Sequence, residues 1–452
     1  MSNVEHLTLS QAATLIRTGQ LSSLEVVEAI LRRIDALEAS LHAWVTIDRE
    51  AVLAQARLRD AEWRQSGPRG PLHGIPVGCK DILYTAGLKT TACSRVYAEF
   101  VPAYDATAVS RLKQAGAVIL GKTVCTEFAV NDPPPTCNAW NRAHTPGGSS
   151  SGSAVAVATQ MCFATVDTQT AGDILRPAAY NGVVGFKPTY GRISHYGVIP
   201  VAWSLDTVGM LTRSVEDAAL LLQVLAGPDL HDPRASSSPR ADYAASLASQ
   251  QHAPRLGLVR QYFYEHADQE VHVHTDQVVE ALRQAGAQIE EIVLPVDLTL
   301  LHAAHRIIVS SECAAYHQAR FVTHPDDYGP KLREFIELGM VTPVVPYLQA
   351  QRLRQRFGRT LQAAFEGVDA LLTPATPSGA PADHSTTGSP ILQIPWTLCG
   401  FPMLALPSGL TSERLPLGLQ FVGPPFREEQ LLATAHWCEQ ALCFQFVPPS
   451  EE

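Results

Sequence analysis

Three short stretches of this chain hold residue types that could share one reaction. Lys80 closes the apolar run GIPVGCK and stands directly before Asp81. A lysine buried at the end of a strand loses hydration, which favours the neutral amine that serves as a base; pairing with Asp81 is the plainer alternative. The second stretch is GGSSSGSAVAVA at 147–158, which includes Ser149 and Ser150. Its glycines permit positive φ and close approach, and a Ser-rich turn opening a helix aims N–H groups at an oxyanion. The same turn also serves as an ordinary loop or helix cap. The third is DTQTAGDILRPAAYNGVVGFKPTYGRIS at 167–194. Turns of this Thr/Gly kind supply consecutive backbone donors to a developing oxyanion. Arg176 follows within the same stretch, and its rigid fork suits either a carboxylate or the carbonyls of a loop. His195 and Tyr196, just beyond, either border a site or simply pack.

The elements that must position these residues have an α/β rhythm. LSSLEVVEAILRRIDALEASLHAW begins with a capping box, Ser22 to Glu25, and continues with Val26, Val27, Ile30, Ile34 and Leu37 at helical spacing. DATAVSRLKQAGAVILGKT places Val109, Leu112 and Ala115 on one helical face, stops at Gly116, and gives a strand over 117–120. The pattern returns as LGLV at 256–259, a helix around 276–285 and a strand over 288–294. This alternation predicts a single large α/β domain, with a mixed, mostly parallel sheet covered by helices on both faces. Within it we expect a helical arm over 1–65, a core over 66–225 and a helical flank or lid over 298–366. Completion of the sheet with a C-terminal helix is expected over 367–452. The Pro, Ser, Asp and Ala-rich segment 227–254 reads as a surface connection.

Composition narrows the function classes. The chain has 452 residues, 46% hydrophobic and 17% charged, with a net charge of −10. No Lys/Arg-rich block stands out, so nucleic acid is not expected as a partner. The N-terminus lacks a basic-then-apolar signal pattern, and no apolar run is long enough to span a membrane, so the reading is cytoplasmic with no membrane partner. Nine cysteines, odd in number and without CxxC spacing, point to reduced thiols rather than a disulfide framework or a zinc site. Neither metal nor cofactor is expected.

Taken together, the three stretches resemble the amidase signature family of C–N hydrolases. The resemblance covers almost the whole chain, from LSSLEVVEAILRRID through GIPVGCKD, PGGSSSGSA and RPAAYNGVVGFKPTYGRIS to SLDTVGMLTRSVEDAALLL and LPLGLQFVGPPFREEQLL. It implies a triad of lysine, a serine joined through a cis peptide, and a nucleophilic serine. By motif, Lys80 matches the lysine and Ser149 the cis serine. Arg176 falls where some members place an arginine. The nucleophile position departs: relatives with this loop continue TQTAGS, whereas this chain reads TQTAGD and puts Asp173 there. Asp167 likewise stands where a glycine is usual.

An ionised Asp173 has no proton to give to a relay, and a tetrahedral adduct formed by it would mostly expel the carboxylate again. Three routes stay open at this point. Asp173 could act as a general base for water, with Thr170, Ala171 and Gly172 as oxyanion donors; the acyl group could move to Ser149 or Ser150; or the chain could bind without turnover. The expected function is that of an amidase-like hydrolase of a small amide with the altered triad Lys80, Ser149 and Asp173. A non-catalytic binding protein for an amide or a carboxylate-bearing ligand is the alternative. A glutaminase-type subunit of an amidotransferase is a lower-ranked alternative, because the loop there usually reads DTGGSIR. The family resemblance also makes a homodimer possible.

Overall fold

A computed structural model describes residues 4–249, 252–444 and 447–449. The outer limits expected at 1 and 452, and residues 250–251 of the expected surface connection, lie outside the described residues. Eleven strands among the described residues form one sheet: β1 (Trp44–Thr46), β2 (Pro76–Lys80), β3 (Val118–Thr123), β4 (Ala164–Gln169), β5 (Val184–Lys187), β6 (Thr207–Thr212), β7 (Arg255–Leu258), β8 (Gln288–Glu291), β9 (Ala370–Pro374), β10 (Met403–Leu410) and β11 (Pro416–Val422). Their order is β1-β3-β2-β4-β6-β5-β10-β11-β9-β7-β8.

The sheet is mixed, but with six antiparallel pairings and four parallel ones its parallel share is smaller than the helix–strand alternation predicts. The cause lies in the middle. β6 returns between β4 and β5, and β10 and β11 are consecutive strands paired side by side, so neighbours there run in opposite directions. Runs of apolar residues specify that a strand is buried, not which way its neighbour runs.

The capping box at Ser22 is present, with the Ser22 hydroxyl accepting from Glu25 N and the Glu25 carboxylate from Ser22 N, and the helix runs over Ser23–Leu41. The expected flank consists of helices Thr299–Phe321, Pro330–Val341 and Val344–Gln362. Segment 227–254 is more than a surface connection. It carries a helix, Tyr243–Ser249, and the Tyr243 side chain is buried. No described helix is long and apolar enough to cross a membrane.

Two features of the sheet prepare the site. β2 and β4 lie side by side and parallel, with Cys79 opposite Val166, so the residues leaving both strands emerge at the same edge. Open α/β sheets gather ligands at such carboxyl ends. The wholly buried helix Ser151–Ala158 then packs beneath this edge on small residues. A Cβ on Gly152 would sit 2.1 Å from the Ala43 carbonyl oxygen and 2.7 Å from Val124 N, so the approach requires glycine. Gly152→Ala is therefore expected to cost about 1–3 kcal/mol through overpacking. A urea midpoint lowered relative to wild type, with unchanged far-ultraviolet dichroism, is the expected result.

Candidate active site

Lys80 ends β2 with no exposed surface, so the partners of its Nζ must be found inside the protein. Nζ lies 2.6 Å from Ser149 Oγ and 3.1 Å from Ser150 Oγ, and 3.4 Å from both the carbonyl oxygen and Oγ1 of Thr168. Asp81 turns away and accepts from Thr91 Oγ1 at 2.5 Å and Thr91 N at 3.0 Å. Lys80 is thus bound to hydroxyls and a backbone carbonyl rather than to its neighbour. Ser149 follows Gly148 through a cis peptide bond, and the Gly148 carbonyl accepts from Arg176 Nη2 at 2.6 Å.

Asp173 closes the arrangement. Its Oδ2 accepts from Thr170 N at 2.9 Å and Ala171 N at 2.8 Å, while Oδ1 accepts from Ser149 N at 3.2 Å. The turn sequence predicts that Thr170 and Ala171 offer their N–H groups to a substrate oxyanion; here those donors are engaged by the side chain of the same turn. The short aspartate side chain reaches back over two and three residues and delivers two oxygens, where a serine would deliver one hydroxyl. Gly172 is packed tightly beside Gln393, whose Oε1 lies 2.6 Å from where a Cβ would stand.

A cavity of about 590 Å³ opens above this turn. Thr170, Ala171, Asp173 and Arg176 line its sheet side, and His305 and Phe335 are among the residues of its helical side. Lys80, Ser149 and Ser150 are not part of its wall and are at most 1% exposed. Asp173 stands between them and the space a ligand would fill. Arg176 is buried and reaches the cavity, and its Nη2 also bonds Thr387 Oγ1 at 3.1 Å. Among the described residues its Nε is a buried donor without a hydrogen-bond partner. Asp167, fully buried on β4, accepts from Thr165 Oγ1 at 2.6 Å; burial pushes its carboxyl above the usual range, against the attraction of Lys80. His195 stacks on Tyr190 and is absent from the cavity wall, and burial pushes its imidazole down to about 4.

The sequence reading missed two residues that hold the turn. His305 Nε2 lies 2.9 Å from the Thr170 carbonyl, which only accepts, so Nε2 carries the proton and Nδ1 the lone pair. Burial lowers its pKa. Asp206 accepts from Thr170 Oγ1 at 2.6 Å, Val201 N at 2.9 Å and Ala202 N at 3.1 Å. Thr170 is consequently tied at its N–H, hydroxyl and carbonyl. A signal for the helical wall did exist: His302, His305 and Arg306, all on the cavity wall, have the i, i+3, i+4 spacing of one helix face.

The amidase family model matches residues 25–432, nearly the whole chain. The chain belongs to the amidase signature family. It is 38% identical to a glutamyl-tRNA(Gln) amidotransferase subunit of Roseiflexus castenholzii, covering 96% of this chain and 95% of that one. The corresponding subunit of Geobacter metallireducens is also 38% identical, covering 96% and 97%. Among solved structures, the peptide amidase of Stenotrophomonas maltophilia superposes with a TM-score of 0.87 at 32% identity, covering 98% of both chains. A chain from a vestigial protein complex bearing on the origins of an s-triazine catabolic enzyme superposes at 0.90 with 29% identity, covering 96% of this chain and 98% of that one.

Burial raises the Asp206 carboxyl to about 7 from an ordinary 3.8, despite the bonds from Thr170, Ala202 and Val201. Between those values the folded state holds the proton more tightly than the unfolded chain. The resulting stabilisation is complete below the lower value and is lost as pH rises through the upper one. Asp206→Asn removes that dependence. Urea midpoints of wild type should fall relative to those of the variant between about pH 4 and about pH 7, and parallel profiles would contradict the assignment.

Proposed function

We propose that this chain is a silenced amidase-signature protein, which binds a small amide or carboxylate-bearing ligand and does not cleave it. The observation that carries this reading is the Asp173 carboxylate on the N–H groups of Thr170, Ala171 and Ser149. An oxyanion hole accelerates acyl transfer because its donors meet charge that appears only in the transition state. Donors that already hold a permanent anion have nothing left to offer. The nucleophilic hydroxyl is absent as well, and Ser149 and Ser150 stand behind Asp173 and away from the cavity. Asp173 is also a poor base for water, since three of its roughly four acceptor positions are taken.

What persists is recognition. Arg176 brings a guanidinium to the wall, which suits a ligand carboxylate, and His305 Nδ1 supplies an acceptor for a ligand N–H. A short dicarboxylic monoamide has both groups.

A second reading is favoured by the amidotransferase subunits that are 38% identical over 96% of the chain. In it the chain is one component of such an assembly, bound to a protein partner, and its ligand is a glutamine-like amide. One experiment separates these. Ammonia release from short dicarboxylic monoamides and from glutamine is measured for wild type, Asp173→Ser and Asp173→Asn. Activity is expected in the serine variant alone, by at least about a hundredfold over wild type, the scale on which an oxyanion hole acts. Its substrate preference distinguishes the two ligands. Wild-type turnover that disappears in both variants would instead make Asp173 a working base.

A further inference from the structure

The helix Val344–Gln362 has two unlike faces. Its inner face is committed to the protein: Tyr347 Oη donates to Glu312 Oε1 at 2.9 Å, Arg354 lies over the Tyr190 ring, and Ala350, Phe357 and Leu361 are buried. On its outer face Val345, Leu348, Arg352, Arg356 and Arg359 are all exposed. These five fall within one narrow stripe at 3.6 residues per turn. The apolar end of the stripe broadens where the preceding helix ends, because Met340, Val341 and Val344 are also exposed, Val341 by 75%. The helix contains no acidic residue, although the chain carries −10 overall. Among the described residues, Arg352, Arg356 and Arg359 form no ion pair and no side-chain hydrogen bond. The stretch QRLRQRFGR is thus a basic block that composition alone does not reveal.

We infer that this stripe is a docking surface for a separate protein chain, through a rod-like segment that is apolar at one end and carries carboxylates along the rest. Contiguous exposed aliphatic residues of this kind mark interaction sites. The cations are arginines without a lysine, and the guanidinium fork matches carboxylates bidentately. A second copy of this chain fits poorly. Pairing two such stripes about a twofold axis sets arginines against arginines or against valines, with no carboxylate between them. A bilayer also fits poorly. Arginines share the same outward line as Val345 and Leu348, whereas an interfacial helix keeps its cations on another face, and the tip has no aromatic anchor.

The test uses the full chain and a fluorescein-labelled helical peptide with leucines in its first turns and glutamates at i, i+4 and i+7 beyond them. Binding is followed by fluorescence anisotropy at low salt. Arg352→Glu with Arg356→Glu, and separately Val345→Asp with Leu348→Asp, should each weaken binding about tenfold or more. All these positions are exposed, so unchanged thermal midpoints are expected. A peptide with lysines in place of the glutamates should bind the arginine-reversed variant better than it binds wild type. A peptide of the same composition with its leucines and glutamates interleaved should bind weakly to all. Equal binding of the ordered and interleaved peptides, or no rescue by charge exchange, overturns the proposal. So does a wild-type dimer, seen by sedimentation, that the Val345→Asp/Leu348→Asp variant dissolves, or peptide-independent binding to phosphatidylglycerol vesicles or to an oligonucleotide that the arginine variant loses.

Discussion

An amine without access to water must find oxygen atoms, and Lys80 finds four of them on two separate parts of the chain. That requirement organises the sheet edge. The strand carrying Thr168 has to lie parallel and adjacent to the strand carrying Lys80, and the turn carrying Ser149 and Ser150 has to be folded down onto both. The small residues of Ser151–Ala158 follow from it, since a bulkier helix would hold the serine hydroxyls out of reach. The Arg176 bond to the Gly148 carbonyl and the three ties on Thr170 complete the frame.

Within that frame the difference between a serine and an aspartate is one of timing. Backbone donors that converge on an empty point are unsatisfied in the resting protein and rewarded only when negative charge arrives. Asp173 supplies the charge from the start. The N–H groups of Thr170 and Ala171 are thereby satisfied within the resting fold. Asp167 lies fully buried on the strand that leads into the same turn, so two carboxyl side chains bear on one small volume.

Much of this was legible in the residues. The capping box at Ser22, the buried strand ending in Lys80, and the Gly/Ser turn are local patterns, and local patterns survive in sequence. The family resemblance carried Ser149 and its cis bond. What could not be read is what depends on direction. Asp173 in TQTAGD looks like a residue facing substrate, and only the path of the turn aims its oxygens back at Thr170 and Ala171. The pairing of β5 with β10 is antiparallel because of where the chain has travelled in the 215 or so residues between them, which no periodicity encodes. His305 sits 135 positions from its partner Thr170, and the spacing of His302, His305 and Arg306 marks a helix face without saying which turn that face meets.

The strand order divides along the sequence. β1 to β6 pair only with one another except at β5, whose outer edge is closed by β10, and everything beyond that seam comes from residues 255–422. A ribosome therefore delivers Lys80, Ser149 and Asp173 together on a half-sheet whose apolar β5 edge is open until Met403–Leu410 has emerged. An unpaired edge of that kind is a template for the wrong neighbour. A truncation that ends before β10 would leave the β5 edge without its partner permanently.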